Sequence, residues 1–176
     1  HKHRRRQRQM CIRDRAYEHN PPVVESGPNG VHLTPDKQYI ITADVFNGKI
    51  YKTSIQTNSS EIIYSHKYGA NTAREDSTGS LWFTQSTQNQ NEERLFGALD
   101  KAIPDGALYR LPVSKDGTLS KPELILKNLY FANGFYIDEK RNKLYLSEMM
   151  KNRVLSFDLD ISCLLYTSDA ADDDAC

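Results

Sequence analysis

Three asparagines recur at corresponding points of a repeated segment, and each is followed 14 or 15 residues later by another polar residue. Asn29 leads to Asp44, Asn71 to Gln85 and Asn133 to Glu148. If each Asn opens one strand and its follower closes the next, antiparallel pairing brings both to the same sheet edge. Six amide and carboxyl groups would then share one face and could hold a ligand there. A plainer reading stays open. Asn-Gly is first a turn signal, and Asn29 and Asn133 both precede glycine. Asp44, Gln85 and Glu148 could equally bond loop amides at strand ends. Asn71 precedes Thr72 instead, which favours a side-chain role.

The elements that must position these groups read as short strands. Tyr39–Thr42, Lys49–Lys52, Ile62–Tyr64, Leu81–Thr84, Leu108–Leu111, Leu124–Leu126, Lys143–Ser147 and Val154–Phe157 are rich in β-branched and aromatic residues. Turn residues lie between them at Pro35-Asp36, Asn47-Gly48, Thr78-Gly79, Asp116-Gly117 and Arg141-Asn142. Asn47-Gly48, between two strands, predicts a type I′ hairpin. Only Glu92 to Asp100 offers a short helix. The class is all-β.

The repeat sharpens this to an architecture. The intervals between the asparagines are 42 and 62 residues. A four-stranded propeller blade takes about 40 to 45 residues. The longer interval contains a polar insertion from Gln85 to Gly106, between the second and third strands of its blade. The expected fold is therefore a partial β-propeller: about three four-stranded blades of six, starting near residues 29, 71 and 133, the last stopping after its third strand. In a propeller the first strand of each blade is innermost. Asn29, Asn71 and Asn133 would then ring the mouth of the central channel, with Asp44, Gln85 and Glu148 on the same face further out. Trp82 and Phe83 read as core between blades, and His19, His32 and His66 lack the spacing of a zinc site. An open run of blades leaves apolar faces without neighbours, so these blades alone are expected to be marginal or prone to aggregate.

Two segments resemble the gluconolactonase/regucalcin-like and strictosidine-synthase-like propellers. Asn71 with Asp76-Ser77-Thr78-Gly79-Ser80-Leu81-Trp82-Phe83-Thr84 is similar to that superfamily's Asn-Asp … Asp-x-x-Gly-x-aromatic-Phe-Thr-Asp segment. Phe131-Ala132-Asn133-Gly134 followed by Leu144-Tyr145-Leu146-Ser147-Glu148 resembles its Phe-Pro-Asn-Gly … Leu-Tyr-Val-Ala-Glu segment. The insertion followed by Gly106–Arg110 resembles the strictosidine-synthase-like branch. The resemblance implies Asn71 and Asn133 as ligands of Ca²⁺ or another divalent cation. It leaves Asn29, Asp44, Gln85 and Glu148 as channel-mouth or substrate-binding candidates, and catalytic residues unassigned. Such a cation prefers several oxygen ligands and could polarise a lactone or ester carbonyl. Thr72, Gln85 and Ala132 depart from the pattern, and the superfamily's Glu and Asp ligands have no counterpart here. The implied function is a divalent-cation-dependent hydrolase of small lactones or esters. The alternative is a metal-free strictosidine-synthase-like binder of small molecules, or a protein-interaction propeller.

The flanks change every count. A DNA string that encodes the run from Cys163 to Asp173 has a reverse complement that encodes the run from Arg5 to Asp14. Residues 1–15 and 162–176 therefore resemble translated transposase sequencing adapter rather than native protein, leaving 16–161 as the propeller segment. All three cysteines and seven of the 23 Lys and Arg residues lie in those flanks. The segment between them carries a small negative balance, which gives no sign of a nucleic-acid partner. No apolar run approaches a membrane span. A small-molecule substrate is the expected partner, and localisation is not readable.

Overall fold

The computed structural model describes residues 26–88 and 101–161. The two flanks and the short helix expected near Glu92 to Asp100 lie outside the described residues. Eleven strands among the described residues form three antiparallel sheets, each a meander in chain order. The first contains β1 (Pro28–Leu33), β2 (Tyr39–Asp44), β3 (Lys49–Ser54) and β4 (Ser60–Ser65). The second contains β5 (Thr72–Glu75), β6 (Leu81–Gln85), β7 (Gly106–Leu111) and β8 (Glu123–Leu129). The third contains β9 (Ala132–Asp138), β10 (Lys143–Glu148) and β11 (Arg153–Asp158).

Two apolar layers hold the sheets together, and β6 serves both. All five of its residues are buried, because the middle sheet is covered on both faces. Leu81 and Phe83 pack with Ile41, Ala43, Ile50, Ala73 and Leu111 between the first and second sheets. Trp82 packs the other way, with Leu108, Phe135, Ile137, Leu144 and Leu146 between the second and third. Each fully buried large side chain of this kind contributes roughly 1.5–3 kcal/mol. An unbroken apolar run in a strand therefore follows from its position between two neighbours.

The first strands of the three sheets lie beside one another, β1 against β5 and β5 against β9, which makes them the inner strands of consecutive blades. Gly30 permits the first of these approaches. It sits at a β-bulge between Asn29 and Val31 with φ +39°. A methyl group there would lie 2.8 Å from the Thr72 Cα and 2.9 Å from the Asn71 carbonyl oxygen. Only a residue without Cβ lets the two backbones meet this closely.

The outer layers are less covered. Val31 and Leu33 on the face of β1 turned from the second sheet are exposed, as are Tyr136 and Val154 on the far face of the third sheet. Apolar side chains in these places suit an additional sheet on either side.

One turn differs from expectation. The β2–β3 connection is a four-residue loop, Val45–Gly48, closed by the Gly48 N–H donating to the Asp44 carbonyl at 3.1 Å. Gly48 has φ +71° but Asn47 does not adopt a positive φ, so the type I′ hairpin is not formed. The Asp44 carboxylate accepts the N–H groups of Phe46 and Asn47 at 3.0 and 3.1 Å, which stabilises the wider loop instead.

Candidate functional site

The ladder registers bring the six predicted groups to one edge. Pro28 pairs with Asp44, Ala132 with Glu148, and Thr72 with Thr84, beside Asn71 and Gln85. Thr84 joins two of the asparagines directly. Its carbonyl accepts the Asn71 N–H at 2.8 Å, while its hydroxyl donates to the Asn133 carbonyl at 2.8 Å. Asn71 and Asn133 thus flank one residue, and Asn29 adjoins Asn71 through the Gly30 contact.

The three asparagines differ in their surroundings. Asn71 is buried, and its Oδ1 accepts the Thr72 hydroxyl at 3.0 Å. The departure Thr72 thus serves as an internal donor to the neighbouring amide. Asn133 is half-buried; its Nδ2 lies 3.6 Å from the Met149 sulfur, a weak acceptor, and its Oδ1 bonds no described residue. Asn29 is exposed at the bulge.

The strand-end residues are occupied by their own blades. Asp44 is fully buried and accepts from the Ser26 hydroxyl, the Gly27, Phe46 and Asn47 amides and the Asn47 side chain. Glu148 is buried, with Oε1 accepting the Tyr130 N–H at 2.7 Å and Oε2 bonded by Arg153 Nε at 2.5 Å. Gln85 donates to the Asp105 carbonyl at 2.8 Å and accepts from His66 Nε2 at 2.9 Å. These three side chains organise loops next to the inner edge. Asp44 and Glu148 bond loop amides, as in the plainer reading, whereas Gln85 bonds a loop carbonyl and a histidine ring.

His66 had no assigned partner in the sequence. It sits against Phe83 and Tyr109 with ring centroids 4.8 and 5.0 Å away. Burial pushes its imidazole below the ordinary histidine range, which keeps it neutral at pH 7. The aromatic runs around Tyr64 and Tyr109 were visible, but their convergence on His66 depends on tertiary packing between the first two sheets.

Asp105 was also unassigned. Its Oδ2 accepts from Thr87 and from the Gln88 amide, and its buried Oδ1 has no hydrogen-bond partner. It precedes β7, two strands out from β5 and so roughly 10 Å from the inner edge. It does not join the asparagines. Among the described residues there is no group of three His, Cys, Asp or Glu side chains arranged to hold a metal ion.

Three consecutive meanders, two of four strands and one of three, with inner strands converging at a polar edge define this molecule as part of a β-propeller. The chain belongs to the SMP-30/gluconolactonase/LRE-like family, whose model matches residues 64–167 and so includes Asn71 and Asn133. It is similar in fold to a gluconolactonase from Xanthomonas campestris, at 19% identity and TM-score 0.54 over 74% of this chain and 44% of that one. A luciferin-regenerating enzyme gives 20% identity and TM-score 0.56 over 80% and 45%. The nidogen/laminin complex contains a chain at 16% identity and TM-score 0.54 over 74% and 44%. The chain thus spans less than half the length of these structures. No curated protein sequence matches it. No helix among the described residues is long and apolar enough to cross a membrane.

Proposed function

We propose that the complete protein hydrolyses small lactones or esters with the help of a divalent cation, Ca²⁺ first among the candidates, at the mouth of the propeller channel. The observation that carries this reading is the placement of Asn71 and Asn133 on either side of Thr84 at the inner edge. Membership of a lactonase-like propeller family supports it.

The residues present fit such an ion in part. Two neutral amide oxygens suit a hard cation, which takes six to eight oxygen ligands. The nearby carboxylates of Asp44 and Glu148 are committed to local donors, so the acidic ligands would come from blades outside this chain. When bound, the cation would act as a Lewis acid toward the scissile carbonyl. This chain's contribution is to offer Asn71 Oδ1 and Asn133 Oδ1 from fixed backbone positions. Glu148 is poorly placed as a general base, because both its oxygens already accept hydrogen bonds.

The same saturation of Asp44 and Glu148 favours a second reading, a metal-free binder of small molecules in the same channel. Chelation separates the two. Lewis-acid stabilisation is worth several kcal/mol, so EDTA should slow hydrolysis of a small-lactone panel by roughly 100-fold or more. Added CaCl₂ should restore the rate. Hydrolysis indifferent to EDTA, or no hydrolysis of any lactone or ester, would rule out the cation-dependent enzyme.

A further inference from the structure

Asn133 lies at a break in the β9–β10 ladder. Leu146 pairs with Phe135 and Glu148 with Ala132, so Asn133 and Gly134 together oppose Ser147 alone. Such a bulge leaves one residue unpaired and re-aims its side chain. The backbone here is gripped from two sides. From the second sheet, the Thr84 and Ser86 hydroxyls donate to the Asn133 and Ala132 carbonyls at 2.8 and 2.7 Å. From its own sheet, Glu148 Oε1 accepts the Tyr130 N–H, while the Met149 and Met150 amides donate to the Phe131 and Tyr130 carbonyls at 3.1 and 3.2 Å. Phe131 is thereby held at φ +59°, a left-handed conformation that a bulky residue keeps only where surrounding contacts impose it.

The Asn133 side chain has far less to hold it. Among the described residues its one hydrogen bond runs from Nδ2 to the Met149 sulfur, at 3.6 Å. A thioether accepts and cannot donate, so the contact distinguishes the two ends of the amide. Nδ2 turns toward Met149, and Oδ1 is left on the other side. The sulfur itself has a firm base. Met149 opens the three-residue 3₁₀ turn Met149–Lys151, which the backbone bonds above tie to the connector, and its side chain is 39% exposed rather than packed in the core. The corresponding residues after Asp44 and Gln85 are Val45, which has no side-chain acceptor, and Ser86, whose hydroxyl is given to Ala132.

We infer that Met149 is a positioning residue, whose sulfur holds the Asn133 amide so that Oδ1 is the end offered to the cation. This role rests on the proposed cation site between Asn71 and Asn133, and it adds a residue that acts through Asn133 rather than on the ion or the substrate. An amide turned by half a revolution about its last side-chain bond would present N–H groups, which repel a cation. The gripped backbone fixes where the side chain starts, and Met149 fixes which end of it leads.

The test uses the full-length protein, with Met149→Leu and Met149→Gln beside wild type. In the metal-free protein, Met149→Leu should move the ¹⁵N side-chain amide signal of Asn133, because leucine offers no acceptor. Losing one weak hydrogen bond should weaken Ca²⁺ binding about three- to fivefold by calorimetry. Met149→Gln supplies a carbonyl acceptor at similar reach and should recover most of that affinity. The unfolding midpoint of Met149→Leu should equal that of wild type, since main-chain bonds hold the turn. An unmoved Asn133 signal overturns the contact. A moved signal with equal Ca²⁺ affinity in wild type and Met149→Leu overturns the positioning role. A lowered midpoint assigns the side chain a packing role and overturns it too. Absence of Ca²⁺ binding by wild type overturns the cation reading and this role with it, and wild type alone reveals that outcome before any variant is compared.

Discussion

Replacing Asp76 with alanine is expected to destabilise the protein by about 3 kcal/mol or more, because each buried donor left without its acceptor costs about 1–3 kcal/mol. Asp76 is buried where β5 turns into β6. Its Oδ1 accepts the Thr78 amide at 2.9 Å, the Thr78 hydroxyl at 2.6 Å and the Ser80 amide at 3.1 Å. Its Oδ2 accepts the Trp82 indole N–H at 2.8 Å. Alanine would leave the Thr78 hydroxyl its Ser80 partner but orphan both amides and the indole of a side chain central to the layer between the second and third sheets. Urea unfolding of the full-length protein measures the effect as a fall in midpoint at unchanged slope. A loss below about 1 kcal/mol would show that water or a neighbour replaces the carboxylate, contrary to this account.

Gly69→Ala is expected to be nearly as damaging, for steric reasons. A methyl group at Gly69 would lie 1.8 Å from the Val45 carbonyl oxygen and 2.7 Å from its carbon. Those atoms belong to backbone at the top of the first sheet, so no side chain can rotate away. The adjoining Ala70 N–H donates to the Asp44 carbonyl at 3.0 Å, and any shift of the connector breaks that bond. Overpacking commonly costs 1–3 kcal/mol, and an overlap with backbone should reach about 3 kcal/mol or more. Gly134→Ala is the control, since nothing lies within 4 Å of its added methyl group. Thermal unfolding should separate the two variants clearly. Similar midpoints would mean that the connector between the first two blades shifts without cost.

The fold was legible because its information is local. Leu81–Gln85 announces a strand buried on both faces, and the Asn29, Asn71 and Asn133 spacing announces the blades. The alignment of these asparagines with Asp44, Gln85 and Glu148 at one edge follows from antiparallel register, which spacing alone conveys. What sequence could not convey was competition for those side chains. Asp44 spends its carboxylate on the amides of its own loop and thereby replaces a two-residue turn with a longer one. Asp76 stood within a recognisable Asp-x-x-Gly segment, yet its bond to Trp82 six residues later shows only once the turn is built. Met149 carried no signal beyond its place after Glu148. Its contact with Asn133, 16 residues away, forms only once β9 pairs with β10 around the bulge.

The shared edge gives the functional account its most direct test. The measurement is a calorimetric titration of the full-length protein with Ca²⁺, wild type beside Asn133→Ala. Asn133 bonds no described residue through Oδ1, so its truncation should leave the fold intact while removing a ligand. The account predicts saturable binding by wild type, weakened by at least about 10–100-fold in the variant, the loss expected when a metal site is impaired. Equal binding by the two proteins, or none by a folded wild type, would contradict a cation held between Asn71 and Asn133.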